Sequence, residues 1–108
     1  MALDLPQPIA DYFTAEDNND VDGLSRCFAA DAVVRDEGRS IAGPAAIKAW
    51  MAEAKRKYQH RTRPVDMVTR EGAIVVSAQV SGNFPNSPVT LEHTFRVAGE
   101  KITSLEIR

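Results

Sequence analysis

"ADAVVRDEGRSIAGPAAIKAW", residues 30–50, reads as a strand, a turn and the start of a helix. Ala32 and Val34 alternate with their neighbours as the buried side of a strand does, and Asp36 continues that side where an apolar residue is expected. Gly38 turns the chain into a second small strand, "RSIAG". Gly43 followed by Pro44 then supplies a cap and a first helical residue. Beyond it Ile47, Trp50, Met51, Ala54 and Tyr58 hold one helical face. Lys55, Arg56 and Lys57 close that helix with positive charge at the negative end of its dipole.

Working upstream, Ile9, Tyr12, Phe13 and then Ala15 or Glu16 recur at helical spacing between Asp4 and Asn18, with Pro6 and Pro8 near the first turn. "DVDGLSRCFAAD" repeats the pattern on Leu24, Cys27 and Phe28 behind an Asp20 cap, giving a short second helix. Downstream of Tyr58 the period changes to two. Val65 and Met67 are expected on one face of a strand over residues 61–70, and Pro64 places that strand at an edge. Ile74, Val76, Ala78, Val80 and Phe84 form the next inward series, and Val89, Leu91, His93, Phe95 and Val97 follow after the loop "PNSP". A turn at Gly99 leads to a last strand with Ile102, Leu105 and Ile107. Helices first and strands last predict an α+β fold, with an antiparallel sheet covered on one face by helices.

The chain has 108 residues, of which 44% are hydrophobic and 26% charged, values that suit one globular domain over residues 1–108. A net charge of -2 argues against a nucleic-acid or anionic-membrane binder, since phosphate affinity rests on excess positive charge. Small neutral or weakly charged partners are expected instead. The single cysteine, Cys27, cannot form an internal disulfide, so a cytoplasmic location is the default expectation. Residues 1–20 carry Asp4, Asp11, Glu16 and Asp17 and no base, unlike a signal peptide, and no apolar run reaches membrane-spanning length.

Three polar residues stand on apolar faces. His93 lies between Leu91 and Phe95, Tyr12 shares a stripe with Ile9 and Phe13, and Asp36 ends the first strand. A desolvated acid tends toward a raised pKa and can then accept a proton near neutral pH. Each residue also has a structural reading: a tyrosine hydroxyl at the core rim, a satisfied core histidine, and an aspartate accepting turn amides before "EGR". Three such groups from separate elements point to a site if the fold brings them together.

The stretch "YFTAEDNNDVDGLSRCFAADAVVRDEGRSIAGPAAIKAW" resembles the nuclear transport factor 2-like superfamily, especially its SnoaL-like polyketide cyclase and ketosteroid isomerase branch. The likeness spans nearly the whole chain. It implies a cone-shaped roll in which a strongly curved, mainly antiparallel sheet wraps three N-terminal helices around an internal pocket, in a homodimer paired through the outer sheet face. It also implies roles. Tyr12 and Asp36, 24 positions apart, match the tyrosine and the proton-moving aspartate of ketosteroid isomerases, and His93 stands where those enzymes carry a second, protonated acid. Histidine in place of the acid, and Glu37 in place of a usual proline, depart from the isomerase pattern, so a steroid substrate is not implied.

Other motifs carry less. "KRKYQHRTR", residues 55–63, reads as a solvated helix end running into an edge strand rather than a phosphate patch. His60 and His93 have no ligand spacing with Cys27, so no metal site is expected. The combined expectation is a pocket for a small hydrophobic molecule, with Asp36 as base and Tyr12 and His93 as donors to an oxyanion. Val34, Trp50, Met51, Val76, Phe84, Leu91 and Phe95 would form its walls. The chemistry expected is proton transfer next to a carbonyl, as an isomerase or cyclase without cofactor; the alternative is a non-catalytic binding or dimerisation module.

Overall fold

A computed structural model describes residues 4–108. Residues 1–3, part of the stretch read above for a signal peptide and for the domain span, lie outside the described residues. Helix α1 (Gln7–Asp17) begins later than the periodicity predicts, because Pro6 is extended at φ -52° and ψ 146° and biases Leu5 away from helix. Helix α2 (Val21–Arg26) is capped by Asp20, whose Oδ1 accepts the Gly23 N–H at 3.0 Å. Gly23 lowers helix propensity, but a Cβ there would collide with the Asp20 carboxylate, so the residue that weakens the helix also admits its cap.

Strand β1 (Phe28–Asp36) turns through Glu37 and Gly38, with φ values of 52° and 76°, into β2 (Arg39–Ala42). Two consecutive left-handed residues between paired Asp36 and Arg39 match the twist of a tight hairpin. Helix α3 (Pro44–Tyr58) follows, then β3 (Arg61–Arg70), β4 (Ala73–Ser81), β5 (Val89–Ala98) and β6 (Lys101–Ile107). The six strands lie in the order β2-β1-β6-β5-β4-β3, and every pair is antiparallel except β1 with β6. The result is an α+β fold in which a curved, mostly antiparallel sheet encloses three helices.

Ile9, Leu24, Val34, Ile47, Val76, Phe95 and Ile102 are fully enclosed between the helices and the inner sheet face. One expectation is corrected here. Val65 and Met67 do not share a face, because β3 bulges between Pro64 and Asp66: Met67 packs against the core while Val65 stays 47% exposed. Pro64 does lie on an edge strand, since β3 pairs only with β4. No helix among the described residues is long and apolar enough to cross a membrane.

Candidate functional site

The inward faces of the strands change character along their length. Toward one end they carry Val34, Val76 and Phe95, each fully buried, with Phe95 set edge-on against Tyr12 and Phe13 at ring-centroid distances of 5.4 and 5.8 Å. Toward the other end, α1 and α3 no longer fill the space, and a cavity of about 360 Å³ opens. Asp36 from β1, Val80 from β4, and Val89, Leu91 and His93 from β5 line it, together with Trp50, Met51, Ala54 and Tyr58 from α3. Phe84 and Pro85, from the loop between β4 and β5, stand at its wall, with Phe84 meeting Tyr58 edge-on at 6.1 Å.

Tyr12, Asp36 and His93 therefore line one cavity, as do Trp50, Met51, Phe84 and Leu91 among the expected wall residues. Val34, Val76 and Phe95 are corrections: they face inward but belong to the packed end of the roll and do not line the cavity. Alternation identifies the inner face of a strand, yet the depth of a residue along that face depends on where the helices end.

Asp36 ends β1 with its side chain half-buried, and Trp50 Nε1 donates to its Oδ2 at 3.3 Å. Desolvation, followed by the neighbouring Glu37 charge, pushes the carboxyl above its usual range; the Trp50 hydrogen bond and Arg39 only partly oppose this. Tyr12 is completely buried, and burial and then the charges of Glu16 and Asp36 hold its phenol protonated well past the ordinary range. Burial likewise pulls His93 below the usual imidazole value, which leaves a neutral ring at pH 7. Among the described residues, Tyr12 Oη and His93 Nδ1 are the fully enclosed side-chain polar atoms with no hydrogen-bond partner. An unpaired buried hydroxyl costs about 1–3 kcal/mol, so both atoms mark places where a ligand would return hydrogen bonding the fold gives up.

The sequence reading passed over a second polar group. Glu16, one turn after Tyr12, is 2% exposed and lines the same cavity. Its Oε1 accepts the Thr62 hydroxyl and lies 3.2 Å from His60 Nε2 and 3.8 Å from Lys55 Nζ. Burial raises its pKa, but the His60 and Thr62 hydrogen bonds and the His60 and Lys55 charges outweigh that, and the carboxyl sits below the ordinary glutamate range. Only the place of Glu16 beside Ala15 on the apolar stripe of α1 hinted at this in the sequence. Among the described residues, no three histidine, cysteine, aspartate or glutamate side chains converge closely enough to hold a metal ion.

The SnoaL-like domain family matches residues 9–105, which run from the start of the α1 core stripe to the end of the β6 core. The chain belongs to the SnoaL-like domain family. A SnoaL-like chain of this kind is similar to a candidate polyketide cyclase from Sinorhizobium meliloti at 42% identity, covering 97% of this chain and 96% of that one, with a TM-score of 0.93. The same nuclear transport factor 2-like, ketosteroid isomerase-like fold recurs in a hypothetical protein from Catenulispora acidiphila solved with trimethylamine, at 20% identity, 95% and 85% coverage and a TM-score of 0.82. It recurs again in an epoxide hydrolase of the LEH-like type from M. tuberculosis, at 14% identity, 94% and 79% coverage and a TM-score of 0.76. No match is found among curated proteins. One fold thus hosts proteins of different activities, and the activity of this member has to be argued from its own side chains.

Proposed function

We propose that the chain binds a small, largely apolar carbonyl compound in the cavity and moves a proton at the carbon beside the carbonyl. The observation that carries this reading is the pairing of two unpartnered buried groups, Tyr12 Oη and His93 Nδ1, with a partly desolvated acid, Asp36, on one cavity lined otherwise by Trp50, Met51, Phe84 and Leu91. Asp36, ionised, takes the proton from carbon; the electron pair moves into the carbonyl, and the enolate oxygen is stabilised by the Tyr12 hydroxyl. His93, as a neutral imidazole, donates less strongly than an imidazolium would. Return of the proton from Asp36 to the same or another carbon completes an isomerisation with no cofactor; attack of the enolate on a second carbonyl would make the same groups a cyclase. Val65 and Val68, 47% and 44% exposed on β3, support pairing of two copies through the sheet, a point that sedimentation or scattering measurements test.

Trp50 is the single tryptophan of the chain, and its indole N–H is bonded to Asp36 inside the cavity, so its fluorescence is a built-in reporter of occupancy. The test is to titrate acetophenone against Trp50 fluorescence and to follow deuterium incorporation at the probe's methyl group in D2O by NMR. Saturable quenching with exchange that disappears in Asp36→Asn supports the reading. Quenching without exchange leaves a binding protein, and neither signal rejects the cavity as a carbonyl site.

A further inference from the structure

The cavity that gathers Tyr12, Asp36 and His93 is unevenly charged. Glu16, Asp36 and Glu37 line it, and among the described residues no lysine or arginine does. Its two histidines do not redress this: burial keeps His93 neutral, and His60 Nε2 faces Glu16 at 3.2 Å. Glu16 is further answered by Lys55, whose Nζ lies 3.8 Å away and outside the cavity lining. Asp36 and Glu37 have no such counter-ion. Among the described residues neither forms an ion pair, and Arg39, opposite Asp36 across the hairpin, lines a neighbouring groove rather than the cavity.

The strand register sets these two acids against an aromatic side. β1 ends at Asp36, in the row formed with Ile107, His93 and Val76. β4 and β5 run on past that row to the pair Val80 and Val89, and the loop beyond them brings Phe84 to the cavity beside Tyr58. Trp50, also in the lining, stands against the acids, since its N–H is bonded to Asp36. Aromatic rings attract cations through the negative charge of their faces, and Tyr58 already does so for Lys57, whose ammonium lies 5.1 Å from the ring centroid. Unpaired carboxylates and large aromatics on one cavity favour a positive ligand over a neutral or negative one.

The proton transfer proposed above sharpens that preference. When Asp36 takes the proton from carbon it becomes neutral, the C–H electron pair enters the carbon–carbon bond, and the carbonyl electrons pass to oxygen. Negative charge thus moves from Asp36 to an oxygen beside Tyr12, one turn of α1 from the Glu16 carboxylate. The charges of Glu16 and Asp36 already help hold the Tyr12 phenol protonated, which marks a negative potential at that point. A hydroxyl donor alone offsets little of it. A positive charge carried in by the ligand would stabilise both the bound state and the enolate.

We infer, building on the carbonyl reading above, that the natural ligand is an organic cation: a small carbonyl compound bearing an alkylated ammonium group, held between the Asp36 and Glu37 carboxylates and the Trp50, Tyr58 and Phe84 rings. The ammonium takes no part in the bond changes. Its alkyl groups suit the apolar remainder of the wall, and its charge balances the acids at the end of β1.

The experiment compares ligands that differ only by nitrogen for carbon, by calorimetry on the wild-type protein. 4'-(Trimethylammonio)acetophenone is set against 4'-tert-butylacetophenone, choline against 3,3-dimethylbutan-1-ol, and 4-acetylbenzoate serves as the anionic ketone. Each cation is expected to bind about tenfold tighter than its carbon counterpart, with acetylbenzoate weakest of the ketones. The preference should shrink as sodium chloride is raised from about 50 to about 500 mM. In Glu37→Gln and in Phe84→Leu it should fall to about threefold or less. Equal or weaker binding of the cations to the wild-type protein overturns the inference, as does a preference unchanged in both folded variants. If the neutral ketones bind and exchange deuterium with no preference for the cations, this inference fails while the carbonyl reading stands. If choline is preferred over its carbon counterpart and no ketone binds, the ammonium site stands and the carbonyl reading fails; if no probe binds, both fail.

Discussion

Trp50 Nε1 donates to Asp36 Oδ2 at 3.3 Å, which ties the acid at the end of β1 to the middle of α3 and keeps it off the amides of its own turn. An aspartate ahead of a tight hairpin often accepts those amides. Here the indole competes instead, and the carboxylate stays at the cavity wall with one oxygen bonded to Trp50.

Asp36→Asn keeps an acceptor for the indole and should fold normally, while deuterium exchange on a bound ketone falls by about a hundredfold or more, the usual worth of a positioned base. Stability should move the other way. A carboxyl whose pKa is raised on folding destabilises the native state progressively as pH climbs from its unfolded to its folded pKa. The variant lacks that titration, so its stability relative to wild type should rise over that pH interval and level off above it. Urea denaturation at several pH values measures both the sign and the plateau.

Glu16 has the opposite linkage. Its pKa is lowered on folding, so its contribution is present above the unfolded-state value and is lost as pH falls through the folded one. Glu16→Gln should cost about 3–5 kcal/mol at neutral pH by leaving the half-buried Lys55 ammonium without its carboxylate and the Thr62 hydroxyl without its charged acceptor. The difference from wild type should shrink on acidification, which the same denaturation series would show. A pH-independent difference would mean that packing, not charge, holds Glu16.

Local pattern revealed part of this site and concealed the rest for definite reasons. Gly43 and Pro44 announced α3, and strict alternation exposed Asp36 and His93 because a polar residue interrupts an apolar series there. Glu16 interrupts a helical stripe in the same way, but its partners Thr62 and His60 are brought to it only by the tertiary fold; Thr62 is 46 residues away. Val34, Val76 and Phe95 were read correctly as inward, yet depth along the roll is set by how far α1 and α3 reach, which no single strand encodes. The bulge that separates Val65 from Met67 likewise depends on β4 as well as on β3.

Gly82 is required by close approach. A Cβ there would lie 2.8 Å from the Tyr58 carbonyl oxygen and 2.9 Å from His60 Cα, both backbone atoms that cannot swing aside. The Gly82 N–H donates to Ser87 Oγ at 2.9 Å, and Asn83 N–H donates to the same Tyr58 carbonyl at 2.7 Å. Gly82→Ala should therefore cost about 1–3 kcal/mol and loosen the loop that carries Phe84 and Pro85. A lowered midpoint in thermal unfolding, with weaker acetophenone quenching of Trp50, is the expected pair of results.

Tyr12→Phe separates function from stability most sharply. The hydroxyl is completely buried, and its approach to the Glu16 carboxylate falls short of a well-formed hydrogen bond, so the empty protein gains little from it and bears the desolvation of a polar group. Removing the oxygen leaves the ring's edge-on contacts with Phe13, Phe28 and Phe95 intact, at 5.1, 6.0 and 5.4 Å. The variant should match or exceed wild-type stability by up to about 1–3 kcal/mol, the cost of an unpaired buried hydroxyl. Exchange on a bound ketone should fall by about a hundredfold, the effect of losing one oxyanion donor. Denaturant unfolding and NMR exchange rates on the same samples test the two signs together. A destabilised variant would mean the hydroxyl is bonded in solution, and unchanged exchange would remove Tyr12 from the chemistry.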